Sequence, residues 1–202
     1  MSRFDVLVPV KALGDAKQRL QDRLSASARA DLMCAMVEQV LAAAASASEV
    51  RATFVVTADP RIGELARRMG AQTLPDAGEG LNPALSDAVA LRQEAGAQAI
   101  ALVQGDLPGL TASALDEFLE SVPRPVGAAI VPDQTGAGTS ALAWRGPIAP
   151  RLAFGAGSLR RHMELAREDG LDLVVHAPRP PFFDVDDFAD LVAVVALDGA
   201  PL

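Results

Sequence analysis

Ala99-Ile100-Ala101-Leu102-Val103-Gln104-Gly105-Asp106-Leu107-Pro108 is the stretch whose reading decides the fold. Its first half is an unbroken apolar run, the pattern of a parallel strand covered on both faces. The run stops in a glycine, an acid and a proline. Gly105 lets the backbone turn or approach a ligand closely, and Pro108 cannot continue a strand. In open α/β sheets, ligands gather beyond the carboxyl ends of the strands. Asp106 is therefore expected at the working edge, although a lone acid after a strand is more readily explained as a turn cap before the helix that opens at Thr111, and the later acids are what shift the balance.

Outward from this strand, apolar runs alternate with helical patterns. Strands are expected at Phe4 to Val10, Ala52 to Thr57, Ala71 to Leu74, Val126 to Val131, Ala141 to Trp144 and Leu171 to Ala177. Helices are expected within Ser25 to Ser48, then from Pro60, Pro83, Thr111, Leu159 and Phe188. Asp59, Asn82 and Ser158 read as N-caps, and Gly70, Gly96 and Gly170 as C-caps. This alternation predicts a three-layer α/β/α fold with a mostly parallel central sheet. The 202 residues suit a single domain over 1–202.

Half of the residues are hydrophobic, yet no apolar run reaches bilayer length. The start lacks a basic n-region and an apolar h-region, so a cytoplasmic protein with no membrane partner is expected. A net charge of −8 argues against a nucleic-acid surface, which needs clustered positive charge. The single Cys34 sits in a helical stripe with Met33, Met36 and Val37 and reads as a small buried hydrophobe. The pattern does not set the oligomeric state, and a homodimer is compatible with it.

Directly after the first strand comes Lys11-Ala12-Leu13-Gly14-Asp15-Ala16-Lys17-Gln18-Arg19-Leu20, which holds both lysines of a chain whose other basic residues are all arginine. Mobile ammonium groups and a guanidinium fork suit a polyphosphate. The loop is neither GxxxxGK[ST] nor GxGxxG. Pro75-Asp76-Ala77-Gly78-Glu79-Gly80-Leu81-Asn82 leads into a helix start and can face a nucleobase, with capping the plainer role for Asn82. Gly136-Ala137-Gly138-Thr139-Ser140 and Phe154-Gly155-Ala156-Gly157-Ser158 are either small-residue anion cradles or simple turns, the second with Arg160 and Arg161 close by. His162, in the first turn of its helix, can face the site, with a structural or solvated role the plainer reading; His176, with no partner at metal-ligand spacing, reads as structural.

Near the end stands Phe183-Asp184-Val185-Asp186-Asp187. In extended backbone Asp184 and Asp186 share a face, and two such carboxylates repel unless a cation lies between them. The plainer reading makes one of them, or Asp187, the cap of the last helix. The chain offers no Ser/His/Asp or Cys/His set. A phosphate oxygen attacking the α-phosphate of a nucleotide needs no strong base, because it is already ionised near neutral pH. It needs positioning and charge neutralisation, and nucleotidyl transfer therefore fits the inventory.

Val8-Pro9-Val10-Lys11, Ala16-Lys17-Gln18-Arg19-Leu20, Glu79-Gly80-Leu81-Asn82, Gln104-Gly105-Asp106-Leu107-Pro108, Gly136-Ala137-Gly138-Thr139, Phe154-Gly155-Ala156-Gly157-Ser158 and Asp184-Val185-Asp186 together resemble the CofC/FbiD guanylyltransferases of coenzyme F(420) biosynthesis. The resemblance runs in register from Val6 to about Leu191. It implies a nucleotidyltransferase-type, Rossmann-like (GT-A type) fold with GTP and a small three-carbon phospho-acid as substrates. An F(420) side-chain transferase that draws off the product is the implied functional partner. By the same resemblance Asp106, Asp184 and Asp186 would hold Mg2+, and Thr139, Gly155 and Ser158 the phospho-acid. Lys11, Lys17 and Arg19 would neutralise the triphosphate, making Lys11, Lys17 and Asp106 the catalytic set, and Glu79, Gly80, Leu81 and Asn82 would face guanine. The family acceptors are phosphoenolpyruvate, 2-phospho-L-lactate and 3-phospho-D-glycerate, and Gln104-Gly105-Asp106 resembles the FbiD form, which points to the first. The chain departs from many relatives at Asp187-Phe188, where they carry Thr-Pro, and at Ser140, where Asn is frequent. The alternatives are a molybdenum-cofactor-type nucleotidyltransferase and a non-catalytic GTP-binding module.

Overall fold

The computed structural model describes residues 3–197. Seven strands form one sheet: β1 (Phe4–Pro9), β2 (Val50–Val56), β3 (Gln72–Leu74), β4 (Ala99–Val103), β5 (Gly127–Pro132), β6 (Thr139–Arg145) and β7 (Leu173–Val175), in the order β3-β2-β1-β4-β6-β5-β7. Every neighbouring pair is parallel except the two that β6 makes with β4 and β5. The expected mostly parallel sheet is therefore present, with one strand reversed inside it.

Helices α1 (Ala26–Ser46), α2 (Pro60–Arg68), α3 (Leu81–Glu94), α4 (Ala112–Glu120), α5 (Ser158–Glu168) and α6 (Phe188–Leu197) cover the sheet. Alternate strand residues enter two separate cores. Val6, Val8, Ala101, Val103, Ala129 and Val131 pack with α1, α2 and α4. Leu7, Ile100, Leu102, Ile130, Leu142 and Trp144 pack with α3, and Leu159 of α5 leans on the same core. Because both faces are buried, the central strands read as continuous apolar runs instead of alternating ones.

Helix ends differ from expectation at two places. Asn82 does not cap α3: the helix begins at Leu81 with Gly80 as N-cap at φ 110°, and no side chain closes it. Ser158 does not cap α5 either, since Gly157 in the left-handed region takes that place. In both cases the polar side chain is drawn away by a partner distant in sequence. Asp59 does cap α2, accepting from the amides of Arg61 and Ile62. The glycines expected as C-caps stand one residue later, at positive φ after Met69, Ala95 and Asp169.

Candidate active site

The carboxyl ends of β1 and β4 open onto a cleft of about 420 Å3 lined by Lys11, Lys17, Arg19, Leu81, Asp106 and Asp186, among others. Gly105 brings Asp106 there. A Cβ at that position would meet Val10 Cγ2 at 3.0 Å and the Pro9 carbonyl at 3.2 Å, so glycine lets the strand end press against β1 without pushing either neighbour aside. Between β1 and α1 the chain runs through two short 3-10 turns, Leu13–Asp15 and Gln18–Leu20. Lys17 links them in the left-handed region, at φ 49° and ψ 45°, a conformation uncommon for a residue with a side chain.

That conformation turns Lys17 inward. Its side chain is 6% exposed, and Nζ lies 2.5 Å from Asp106 Oδ2 and 3.1 Å from Asp186 Oδ1. Burial opposes its charge, but Asp106 and Asp186 outweigh burial and hold the Lys17 pKa above the ordinary lysine value. Arg19, largely exposed, donates from Nη1 to Asp186 Oδ2 at 3.1 Å. Lys11 stands exposed on the cleft wall.

Asp106, Asp184 and Asp186 each offer an oxygen, and these lie within 4.8 Å of one another. Burial, reinforced by Asp106 and Asp186, pushes Asp184 up to about 6. Its Oδ1 is buried and has no hydrogen-bond partner. A cation held by oxygens would satisfy that orphan and relieve the repulsion, so this set fits a divalent metal. The helix-capping role falls to Asp187, whose Oδ1 accepts from the amides of Ala189 and Asp190. Asp186 thus remains free to line the cleft with Asp106, and Asp184 stands beside them in the carboxylate group. Their loop is fastened twice: Asp190 Oδ2 accepts from the Asp186 and Asp187 amides at 2.9 Å each, and Gln134 clasps Asp184. Gln134 Nε2 donates to the Asp184 carbonyl, and the Asp184 amide donates to Gln134 Oε1, both at 3.1 Å.

Thr139 and Ser158 come together in a second, drier cluster. The reversed β6 starts beside the end of β4, where the Gln104 amide donates to the Ser140 carbonyl. Ser158 Oγ donates to Thr139 Oγ1 at 2.9 Å, and His162 Nδ1 lies 3.1 Å from the same oxygen. All three residues are buried. His162 Nε2 accepts from the Ala153 amide at 2.9 Å, and the ring meets Phe154 edge-on at 5.0 Å. Burial pushes the His162 pKa down to about 4.

Asn82 joins the two clusters. Its Nδ2 donates to the Phe154 carbonyl at 3.0 Å, and its Oδ1 accepts from the Phe154 amide at 2.8 Å, tying the start of α3 to the loop that carries Gly155 at φ 126°. Of the Glu79 to Asn82 motif, Leu81 lines the cleft, while Glu79 and Gly80 lie on the exposed loop before it. Among the described residues lining the cleft, Thr139, Gly155 and Ser158 do not appear. Arg160 turns toward Glu164 at 3.3 Å.

The family model described as "Guanylyl transferase CofC like" matches residues 4–200. The chain belongs to this family. It is 40% identical over 187 residues to the phosphoenolpyruvate guanylyltransferase of Sphaerobacter thermophilus, covering 92% of this chain and 89% of that one. It is 39% identical over 198 residues to the protein of the same name from Nocardia farcinica, covering 95% and 84%. The solved structure of a putative nucleotide-diphospho-sugar transferase from Desulfovibrio desulfuricans G20 overlays with a TM-score of 0.82 at 19% identity, over 98% of this chain and 88% of that one. At that identity the likeness is one of fold, and the fold is of the nucleotidyltransferase kind.

In this CofC-like chain, the roles of Gln134 and Asp190 were not foreseen from the sequence. Gln134 acts on the acid loop through bonds to a backbone 50 positions away, which carry no local spacing signal, whereas Asp190 stands three residues after Asp187 in a reciprocal cap that local spacing could have shown. His162, for which a structural or solvated role was the plainer reading, is buried with both ring nitrogens engaged. A hint to its partner was its place on the same helix as Ser158, four residues on, hence on the same face.

Proposed function

We propose that the protein transfers GMP from GTP to a three-carbon phospho-acid, with phosphoenolpyruvate the first candidate, and releases pyrophosphate as a step of coenzyme F(420) biosynthesis. In this reaction an oxygen of the acceptor phosphate bonds to the α-phosphorus of GTP. The bond from that phosphorus to the α–β bridging oxygen breaks, and pyrophosphate leaves with the electron pair. The acceptor oxygen is already ionised, so no residue has to act as a strong base.

The observation that carries the reading is the convergence of Asp106, Asp184 and Asp186 with Lys17 and Arg19, in a chain whose named relatives are phosphoenolpyruvate guanylyltransferases. Asp106, Asp184 and Asp186 would hold Mg2+, which when bound neutralises charge on the triphosphate. Lys11 and Arg19 are exposed beside the acids and suited to the β- and γ-phosphates. Lys17, held inward between Asp106 and Asp186, would keep its ammonium beside the carboxylates and the bound triphosphate. Thr139, Gly155 and Ser158 would receive the phospho-acid, and the loop from Glu79 to Asn82 the guanine.

The test is pyrophosphate release from purified protein with GTP and Mg2+. Parallel reactions contain phosphoenolpyruvate, 2-phospho-L-lactate, 3-phospho-D-glycerate or no acceptor, and an F(420) side-chain transferase draws off the product. Release that depends on one acceptor and stops on chelation is expected. Folded protein that binds GTP and releases nothing with any acceptor overturns the reading.

A further inference from the structure

The hydroxyl pair Thr139–Ser158 has two hydrogens, and the bond between the two oxygens uses one of them. Whether the second is free for a ligand depends on the third member of the cluster. If His162 Nδ1 were a bare acceptor, it would take that hydrogen and leave the pair with nothing to give. If Nδ1 carries a hydrogen, it donates to Thr139 Oγ1, and the pair keeps one hydrogen for a ligand.

The structure decides between these cases at the far side of the ring. His162 Nε2 lies 2.9 Å from the Ala153 amide nitrogen. A backbone N–H can only donate, so Nε2 is the acceptor and the neutral imidazole carries its hydrogen on Nδ1. Thr139 Oγ1 then accepts from both His162 and Ser158. No described residue accepts the remaining hydroxyl hydrogen. Burial keeps the ring neutral near pH 7, and the Phe154 edge contact fixes its plane.

We propose that His162 is a positioning residue of the acceptor pocket: held by the Ala153 amide, its Nδ1–H commits the Thr139–Ser158 pair to donating one hydrogen to an anionic oxygen of the acceptor. This rests on the proposed function for the ligand, but not for the tautomer. Thr139 Oγ1, with both of its lone pairs taken, is thereby a donor-only contact, which favours an acceptor oxygen such as that of a phosphate or carboxylate.

Two measurements test it. In the ligand-free protein, 15N chemical shifts of the His162 ring should show Nδ1 protonated and Nε2 bare; the opposite tautomer overturns the proposal. In kinetics, His162→Phe keeps the ring contact with Phe154 and removes both hydrogen bonds. It should raise KM for the phospho-acid about tenfold or more, the size of one lost bond to a charged group, while KM for GTP stays within about twofold. His162→Asn, whose amide reaches the Nδ1 position, should recover part of that loss, and His162→Gln, which reaches only the Nε2 position, should not. Thr139→Val supplies the same comparison if the His162→Phe protein does not fold. Unchanged acceptor KM, or KM values for GTP and acceptor rising together, overturns the proposal while the wild-type reaction stands. A wild-type protein inactive with every acceptor overturns the functional reading instead and removes this pocket's ligand with it.

Discussion

Asp5 and Asp184 are both acids withdrawn from water, the first at the amino end of β1 and the second beside the acids beyond the strands' carboxyl ends, and they are treated in opposite ways. Asp5 lies near the start of β1 and is 0% exposed. Its oxygens accept from Arg51 Nε at 2.8 Å, Arg51 Nη2 at 2.6 Å and Arg92 Nε at 3.0 Å, so its charge is fully answered from β2 and α3. Asp184 sits beyond the strand ends with one buried oxygen unanswered and two further carboxylates beside it. Burying an unpaired charge is costly, and a fold tolerates it where a ligand will complete the pairing. Incomplete pairing, more than burial, separates the acid of a site from the acid of a scaffold.

The contrast can be broken most forcefully at Asp5. Asp5→Asn should destabilise the protein by about 3–5 kcal/mol, because it leaves Arg92 and Arg51 facing a group that no longer balances them; denaturant titration measures this. Asp184→Asn should do the reverse, lowering kcat by about a hundredfold or more through lost metal-assisted charge stabilisation while leaving the denaturation midpoint equal or higher. A loss of stability at Asp184 matching that at Asp5 would erase the distinction. At the junction of the two clusters, Asn82→Ala leaves the Phe154 amide and carbonyl unpaired and should cost about 1–3 kcal/mol, visible in the same titration.

The smallest effects sharpen the comparison through pH. Asp184 has its folded pKa raised, so in metal-free protein its contribution is fully present below about pH 4 and is lost as pH rises toward about 6. His162 has its folded pKa lowered from 6.5 to about 4, so its contribution is present above 6.5 and lost as pH falls through that window. The slopes oppose each other and partly cancel. Thermal midpoints across pH 4 to 7 should therefore climb more steeply in Asp184→Asn than in wild type and less steeply in His162→Phe, where the lowered His176 still adds a rising slope.

The sheet was legible because burial on both faces writes itself into composition: Ile100 to Val103 could hardly be anything but a central strand. The reversal of β6 was not, since an apolar strand reads the same in either direction and its orientation follows from pairing with β4 and β5. At the site, residue types and their place after strands were readable for Asp106, Lys17, Arg19, Asp184 and Asp186. Their juxtaposition was not: Lys17 and Asp106 are 89 positions apart. Asn82 and Ser158 show the limit most clearly. Each looks like a cap because local bonding is all that local sequence can propose, and each is taken by a partner across the fold, 72 and 19 positions away.

Because β6 runs against its neighbours, the turn at 133–138 returns to the edge where β4 delivers Asp106, and it does so as a hairpin closed on itself. Surface turns absorb insertions and exchanges more readily than the strands they join. A lineage carrying this fold can therefore reshape that turn beyond Gln134, which clasps Asp184, without disturbing the register of β1 against β4, where the lysine loop and Asp106 originate. One strand laid backwards gives heredity a replaceable part beside a fixed one.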